Sequence, residues 1–568
     1  MTSQADPRAQ ARDAVRRTPR DAMAWIVLAE AELDAGDAAQ GEAAARRALA
    51  LAPGHPEALA RLGRAQWLRH RHAGAVASLR AAATAAPAHP GIAVWLAHAL
   101  EDAGDAEAAA AEYARAHALA PDHPLIASYL LAWRRRLCDW RGLDRLSGQV
   151  RAAVRGGAPI EPFAFLSEDA GAAEQLRCAQ VRAAAFASAT RPAPRPRAAG
   201  QALRLGLLSN GFGAHPTGLL VVAMLEALRE EISVEAHLFA LDRDDGSAIR
   251  ARLAAASTLH DAHGLAHAAV AQRIRTAGID VLYDLRGWGG GGAPEVLAMR
   301  PAPVQVNWLA YPGTSGAPWI DFVLADGFVL PPALEPHFSE RVLRLPRCFQ
   351  PSDTTRALPA PPPREALGLP PRASGGVVLC CFNNSYKLNP RSLGRMCAVL
   401  REVPGSVLWL LSGPGRADDR LRAAAAGAGI DPARLVFMAK QPHADYLARL
   451  QCADLFLDTH PYNAHTTASD ALWAGVPVLT APGTTFAARV AGSLNHHLGW
   501  PEMNVESDAA FVARAVALGN DPAALDALRS RLAALRGSSP LFDMRGFARD
   551  FASAAHAMAR QRDPAEGR

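Results

Sequence analysis

The densest group of residues that could do chemistry lies in the segment LFLDTHPYNAHTTASDALWAGVPVLT, residues 455–480. An apolar run typical of a strand ends in a polar loop, and His465, Thr466 and Thr467 then open a helix that carries Asp470. A helix N-terminus presents free N–H groups and a positive dipole end, which suit a phosphate group. A capping box between Thr467 and Asp470 is the structural alternative, but it leaves His465 and Thr466 without a role.

Lysine gives the second signal, because only two of the 60 basic residues, Lys387 and Lys440, are lysine. In a chain otherwise biased toward arginine, a retained lysine suggests a need for a compact, movable ammonium group. Lys387 stands in CCFNNSYKLNP (380–390), in a loop after an apolar strand. There it could neutralise a departing diphosphate without a metal. An ordinary solvated lysine is the alternative.

The segment AKQPHADY (439–446) follows another apolar run and could recognise a base. Lys440 and His443 could flank a flat ring, with His443 stacked on it. An ordinary helix start with two polar residues explains this segment equally well.

The segment LGLLSNGFGAHPTGLL (205–220) places Gly211, Gly213 and His215 in a turn between a strand and a helix. Pro216 suits the first turn of that helix. His215 could act as a base or bind the acceptor or the sugar. A helix-capping or core histidine is the alternative, although a position after the first strand of an α/β domain favours a functional role.

Three further turns are weaker candidates. RPAPVQVNWLAYPGTSG (300–316) ends a strand in a Tyr-Pro-Gly-Thr turn that could shape a sugar pocket. GWGGGG (287–292) is predicted to be flexible rather than a phosphate loop. DRDDGS (242–247) has the acidic spacing of some metal-dependent glycosyltransferases, but we interpret it as a solvated turn away from Lys387 and predict no metal.

These candidates follow short apolar runs that alternate with helical stretches, such as the amphipathic TGLLVVAMLEALREE (217–231). The pattern predicts parallel sheets with crossover helices. The proline-rich segment at 357–375 divides it into two halves, and a cleft between such halves is a common ligand site. The predicted strands are residues 204–209, 237–241, 281–285, 304–310 and 322–326 in the first half, and 376–382, 406–412, 434–438, 455–459 and 476–480 in the second.

The N-terminal part repeats. Pro53, Pro87 and Pro121 are evenly spaced at the step of a tetratricopeptide helix–turn–helix unit, and small and large apolar residues recur between them. A fourth unit that starts at Pro124 loses the pattern after Leu131. We therefore predict five regions, with the C-terminal helix crossing back onto the first α/β half. The regions are tetratricopeptide repeats at 1–135, a helical linker at 136–200 with a Pro/Arg boundary at 191–200, α/β domains at 201–360 and 361–541, and a C-terminal helix at 542–568.

Bulk composition limits the function classes. The chain has 568 residues, half of them hydrophobic and 20% charged, which indicates a soluble globular protein. We predict no membrane span and no signal peptide. A net charge of +5 without a basic stripe argues against nucleic acid as a partner. Seven dispersed cysteines suggest reduced thiols in a cytoplasmic protein.

Taken together, these motifs resemble the O-linked N-acetylglucosamine transferases, in a bacterial-type form. The resemblance rests on CDW (138–140), GFGAHPT, RPAPVQVNWLAYPGTSG, FNNSYKLNP, HTTASDALWAGVPVLT and SPLFD (539–543), in that order. It covers nearly the whole chain. It implies a GT-B fold, two Rossmann-like domains that face a cleft. It also implies inverting, metal-independent transfer of N-acetylglucosamine from UDP to Ser/Thr hydroxyls of proteins, with no cofactor.

The resemblance also implies roles for individual residues. Lys387 contacts the diphosphate, and we assign catalytic roles to Lys387 and His215. The nucleotide-sugar site comprises Asn384, Lys387, Lys440, His443, His465, Thr466, Thr467 and Asp470. The sugar and acceptor pocket comprises His215, Thr217, Tyr311, Pro312 and Gly313. His215 as the base is a hypothesis, because the family leaves that role open.

The chain departs from the family at its acceptor end. Its repeat arm contains no asparagine, the first being Asn210, whereas animal members line their superhelix with asparagines. Near His443, the residues Ala444, Asp445 and Tyr446 replace basic residues of animal enzymes. Two alternatives remain: the same fold with GDP-fucose or UDP-glucose as donor, and a degenerate scaffold that only binds nucleotide and partners.

Overall fold

The computed structural model describes residues 6–193, 200–372 and 375–561. These residues form two compact units. The first unit contains the chain up to Val150 and the short segment Gly413–Ala417, and the second contains Arg151–Ser412 and the chain from Asp418 onward. Most of the linker predicted at 191–200, and the end of the helix predicted to reach residue 568, lie outside the described residues.

The first unit consists of paired helices at the predicted period. Each second helix ends two residues before a repeat proline, and the next first helix begins with a proline, whose missing N–H costs no helical hydrogen bond there. Small residues permit the close pairing, since a Cβ atom on Gly63 would lie 2.5 Å from Leu79 Cγ. The tetratricopeptide prediction is therefore confirmed. The helices are α1 (Pro7–Arg17), α2 (Ala22–Asp34), α3 (Ala38–Leu51), α4 (Pro56–Leu68), α5 (His72–Ala85), α6 (Pro90–Asp102), α7 (Ala106–Leu119), α8 (Pro124–Arg136) and α9 (Leu143–Arg155).

The second unit opens with two helices and a parallel seven-stranded sheet, in the strand order β3-β2-β1-β4-β5-β6-β7. Its central strands are buried on both faces, which explains their continuous apolar runs. The elements of this first lobe are α10 (Pro162–Phe165), α11 (Ala172–Ala183), β1 (Leu203–Ser209), α12 (Pro216–Leu228), β2 (Val234–Ala240), α13 (Ala248–Ala256), β3 (Thr258–Asp261), α14 (His267–Ala277), β4 (Val281–Asp284), α15 (Pro294–Ala298), β5 (Val304–Asn307), β6 (Phe322–Asp326) and β7 (Arg341–Leu345).

A second parallel sheet forms the other lobe, in the order β10-β9-β8-β11-β12. Two parallel α/β lobes after a repeat region are the predicted GT-B architecture, and that prediction is confirmed. The elements are β8 (Val378–Cys381), α16 (Pro390–Glu402), β9 (Val407–Leu411), α17 (Ala417–Gly427), β10 (Leu435–Met438), α18 (His443–Leu450), β11 (Leu455–Leu457), α19 (Thr466–Trp473), β12 (Val478–Leu479), α20 (Val490–Leu498), α21 (Asp508–Gly519) and α22 (Pro522–Leu535).

The last helix, α23 (Met544–Arg560), packs on the first lobe rather than on the second. Phe551 stacks on Tyr283 with ring centroids 4.7 Å apart, and it lies 4.8 Å from the ring of Trp308. The chain therefore crosses between the lobes twice, once after β7 and once before α23.

Candidate active site

The two lobes share a cavity of about 320 Å³. Side chains from both lobes and Phe163 of α10 line it, and none of these described lining residues is an aspartate or a glutamate. The lining is formed by Phe163, His215, Pro216, Thr217, Leu220, Arg286, Gly289, Leu309, Ala310 and Gln350, and by Asn383, Asn384, Tyr386, Lys387, Tyr462, His465, Thr466 and Thr467 of the second lobe.

Lys387 lies in a short 3-10 turn directly after β8 and is buried. Its Nζ donates a hydrogen bond to the carbonyl oxygen of Asn463 at 2.7 Å and lies 3.9 Å from the ring centroid of Tyr462. Burial lowers the pKa of Lys387 to about 7, against an opposing effect of the carboxylate of Asp458. The ammonium is thus a desolvated donor at the cavity surface, which excludes the solvated-lysine alternative.

His465 immediately precedes α19, as predicted, and Thr466 and Thr467 form its first turn at the cavity. Burial lowers the pKa of His465 well below its usual value, so the ring is neutral. Because the Nε2 atom of His465 faces the carbonyl oxygen of Ala487 at 3.1 Å, that nitrogen carries the proton and donates it.

The capping box considered between Thr467 and Asp470 does not form. The Thr467 hydroxyl donates to Asn383 Oδ1 at 2.7 Å, and Asp470 pairs with Arg356 at 3.2 Å. Asp470 Oδ1 also lies 3.3 Å from His443 Nε2, which joins two predicted site residues through a buried carboxylate. The amide groups of the first turn of α19 are therefore not occupied by a side-chain cap.

The remaining predicted nucleotide residues lie at the surface. Asn384 is exposed and lines the cavity. Lys440 is exposed and is not part of the lining, but its charge acts on His215. His443 begins α18 and its ring is tilted against Tyr446. The structure brings His443 and Asp470 together and leaves Lys440 beside the cavity.

His215 caps α12, as the structural alternative predicted, and it also lines the cavity. Its Nδ1 accepts a hydrogen bond from the backbone N–H of Thr217 at 3.1 Å. Burial, with the charges of Arg286 and Lys440, lowers the pKa of His215 to about 4. The ring is therefore neutral near pH 7 with its proton on Nε2. In this geometry His215 can donate a hydrogen bond, but it has no free lone pair with which to act as a base.

We expect pH profiles to separate these two roles of His215. Asparagine also caps helices well and retains a donor, so His215→Asn should lose about tenfold in kcat/KM, whereas His215→Ala should lose about 10²-fold. The acid limb of kcat/KM should be the same in wild type and His215→Asn. An acid limb between pH 4 and 7 that disappears in His215→Asn would contradict the donor role and support a base.

The turn before His215 is held by the segment at 242–247. This segment is exposed, as predicted, but Asp245 also accepts a hydrogen bond from Ala214 N–H at 2.7 Å. Gly213 leaves room for this carboxylate, because a Cβ atom at that position would lie 2.4 Å from Asp245 Oδ2. Asp245 thus fixes the backbone that carries His215, a function beyond that of a solvated turn.

The Tyr-Pro-Gly turn lies beneath the cavity rather than at its surface. Tyr311, Pro312 and Gly313 are buried and are not part of the lining, whereas Leu309 and Ala310 are. Leu309 has a φ of 84°, and this left-handed kink after β5 brings the chain to the cavity two residues earlier than predicted. Thr217, by contrast, lines the cavity as assigned.

Sequence reasoning missed Phe163, Arg286, Asn383, Tyr386 and Tyr462. Arg286 had a signal, because it comes directly after β4 at the edge where ligands of parallel sheets bind. Phe163 had none, since it comes from the helical linker. The glycine run at 287–292 was predicted to be flexible, but its two ends are close-packed: a Cβ atom on Gly292 would lie 2.3 Å from the carbonyl oxygen of Gly287, and one on Gly287 would lie 2.5 Å from Tyr311 Cβ.

No helix among the described residues combines the length and the apolar character that a bilayer-spanning segment requires. The same residues contain no group of three or more His, Cys, Asp or Glu side chains placed to hold a metal ion.

Comparison with known proteins identifies relatives of this fold. A protein of Arabidopsis thaliana named probable UDP-N-acetylglucosamine–peptide N-acetylglucosaminyltransferase SEC is 35% identical over 349 residues, which cover 60% of this chain and 35% of the relative. A Caenorhabditis elegans protein named UDP-N-acetylglucosamine–peptide N-acetylglucosaminyltransferase is 28% identical, over 62% of this chain and 40% of the relative. The chain thus spans about two fifths or less of these relatives.

A solved structure matches over almost the full length. It is a mutant of the Thermobaculum terrenum O-GlcNAc transferase, with a TM-score of 0.69, 27% identity, and coverage of 99% of both chains. The model of the family described as glycosyl transferase family 41 matches residues 188–360 and 360–551, which include both sheets and every lining residue except Phe163. The chain belongs to glycosyl transferase family 41.

Proposed function

We propose that this protein transfers N-acetylglucosamine from UDP-N-acetylglucosamine to Ser/Thr hydroxyls of protein acceptors, with inversion and without a metal or other cofactor. The observation that carries the proposal is the group formed by the buried ammonium of Lys387 and the uncapped first turn of α19 at one cavity. Both suit a diphosphate leaving group. The names of the two relatives and of the solved structure supply the donor and the peptide acceptor.

Inversion is supported by the chemistry of the cavity lining. A retaining double displacement needs a nucleophile, most often a carboxylate, on the face of the sugar opposite the leaving group. The described lining residues include no carboxylate. In the proposed single displacement, the acceptor oxygen bonds to the anomeric carbon while the bond from that carbon to the diphosphate oxygen breaks. UDP leaves with the electron pair, and the proton of the acceptor hydroxyl passes to the diphosphate or to water.

The residues of the chain supply the positive charge that other glycosyltransferases take from a metal. Lys387 and the first turn of α19 stabilise the leaving diphosphate, and His215 orients the sugar or the acceptor through its Nε2–H. The seven cysteines, all buried and free, support a reducing, cytoplasmic setting.

UDP binding is expected to be accompanied by proton uptake that grows with pH. Because the pKa of Lys387 is lowered to about 7, the free protein loses this proton as the pH rises through neutrality. The bound diphosphate favours the ammonium form, so proton uptake should increase toward one proton between pH 7 and 8, and affinity should fall. Isothermal titration calorimetry in buffers of different ionisation enthalpy measures both quantities.

The same titrations separate the donor alternatives. UDP and UDP-N-acetylglucosamine should bind at least tenfold more tightly than GDP, and UDP-N-acetylglucosamine more tightly than UDP-glucose. Absence of UDP binding, or a preference for GDP, would overturn the donor assignment. Binding without any release of UDP from the sugar nucleotide would instead support a degenerate scaffold.

A further inference from the structure

Arg286 is the charged residue of the cavity that the proposed reaction leaves without a role. It and Lys387 are the arginine and the lysine of the described lining, and they come from opposite lobes. Arg286 follows β4, whose neighbour β1 leads into the turn that carries His215. The charge of Arg286 reaches His215, because it is one of the causes of the low pKa of that ring.

The local structure holds the Arg286 guanidinium in place without neutralising it. The backbone N–H of Arg286 donates to Asp284 Oδ1 at 2.9 Å, and its Nη2 donates to the carbonyl oxygen of Gly290. Its Nε is buried and has no hydrogen-bond partner in the described structure. Among the described residues, no carboxylate oxygen lies within 4 Å of this guanidinium, the distance at which an ion pair forms.

The nearest acids compensate its charge only in part. Asp284 and Asp242 both interact with Arg286 electrostatically, but burial raises the pKa of each carboxyl group and so disfavours the charged form. A guanidinium cannot lose its proton to relieve this imbalance. A half-buried cation that lacks an ion-pair partner is expected to bind an anionic group of a ligand.

The acceptor, rather than the donor, is the better source of that anion. The features that suit a diphosphate, Lys387 and the first turn of α19, both belong to the second lobe. Arg286 stands on the first lobe, at the carboxyl edge of its sheet and beside His215. A carboxylate fits this position, because the guanidinium can bind both of its oxygens in a fixed plane.

We propose that Arg286 binds a carboxylate next to the acceptor hydroxyl, so that the enzyme selects Ser or Thr residues flanked by Asp or Glu. This inference rests on the proposed transfer to protein hydroxyls and adds the class of acceptor. The repeat arm of this chain lacks the asparagines of animal members. A carboxylate bound by Arg286 would give the enzyme a way to choose acceptors that does not depend on that arm.

The test compares the full-length protein with matched acceptor peptides. Each peptide carries one Ser in a neutral background, with Asp, Asn or Lys placed in turn at the two positions on either side. Transfer from UDP-N-acetylglucosamine is measured as kcat/KM for each peptide. Wild type should favour at least one Asp peptide over its Asn partner by about 10- to 100-fold, the range of a hydrogen-bonded charge pair.

Variants of Arg286 should change this ratio. Arg286→Gln should bring the Asp/Asn ratio close to one, and Arg286→Glu should favour the Lys peptide. Arg229 provides the control, because it is an exposed arginine of the same lobe outside the cavity. Arg229→Gln should leave the ratio unchanged, and the UDP affinity of Arg286→Gln should stay within about threefold of wild type.

The outcomes distinguish this inference from the proposed function. Equal rates for Asp and Asn peptides, transfer to none of the peptides, or an Asp preference that survives in Arg286→Gln would overturn the acceptor role. A loss of UDP affinity of tenfold or more in Arg286→Gln would move Arg286 to the donor side and also overturn it. Failure of the proposed function looks different, as wild type would then release no UDP from UDP-N-acetylglucosamine with any acceptor.

Discussion

Replacement of Lys387 by alanine is expected to lower kcat for sugar transfer by about 10³-fold or more while leaving the fold intact. In the proposed reaction, negative charge develops next to the buried ammonium as UDP departs, and a preorganised charge in a desolvated site acts mainly on the transition state. Alanine removes one hydrogen bond to Asn463 and one contact with Tyr462, but it also removes a costly buried charge. The melting temperature should therefore change by only a few degrees.

Lys387→Arg is the matched variant, because it keeps the charge and changes its shape. A planar guanidinium cannot occupy the position between Asn463 O and the Tyr462 ring without displacing these neighbours. Lys387→Arg should therefore have less than a tenth of the wild-type kcat. Initial rates of UDP release and calorimetric UDP affinity measure these effects. Near wild-type turnover by Lys387→Ala, with its fold confirmed by circular dichroism, would show that the leaving-group role is wrong.

The repeat region and most strands were predictable because their signals are local. A 34-residue period reports the helical pairs directly, and a strand buried on both faces leaves a continuous apolar run. The sequence missed β3 and β7, which form the two edges of the first sheet. The exposed, polar TLHD and the arginine-flanked RVLRL carry no such run, since an edge strand is only partly covered.

The sequence predicts the site residues that directly follow the ends of strands. It does not predict those that reach the site because folding brings distant segments together. Lys387, His465 and His215 each come directly after a parallel strand or its loop, and they meet at one cavity. The roles of Phe163 and of the Asp470–Arg356 pair depend on contacts across more than a hundred residues of sequence. No local pattern in the sequence encodes such contacts. For the same reason, the Tyr311 turn was expected to line the cavity, whereas it lies beneath the cavity lining.

Asp458 shows how fold and function are joined at this site. The carboxylate follows β11 and is fully buried. It accepts hydrogen bonds from the backbone N–H groups of Thr459 and Ala464 and from the Thr480 hydroxyl, at 2.6–2.7 Å. These bonds shape the loop that leads to His465. The negative charge of Asp458 also favours the protonated form of Lys387.

Asp458→Ala is accordingly expected to destabilise the second lobe by about 3–5 kcal/mol, because each buried donor left without an acceptor costs about 1–3 kcal/mol. The change leaves three donors unpaired and Lys387 without its counter-charge. Asp458→Asn keeps the shape and should cost about 1–3 kcal/mol. Because the negative charge raises the pKa of Lys387, its loss lowers that pKa further. UDP affinity of Asp458→Asn should therefore begin to fall at a lower pH than in wild type.

Asp454 supplies the control, because it is a buried aspartate at the other end of β11. It accepts a hydrogen bond from Val378 N–H and pairs with Arg364 and Arg372, and it is not among the charges that shift the pKa of Lys387. Asp454→Asn should lower the free energy of unfolding to a similar extent but leave the pH dependence of UDP binding unchanged. Urea unfolding and calorimetry between pH 6.5 and 9 measure the two effects. If Asp458→Asn shifted stability alone and its pH profile matched that of Asp454→Asn, Asp458 would be a structural residue without influence on the Lys387 proton.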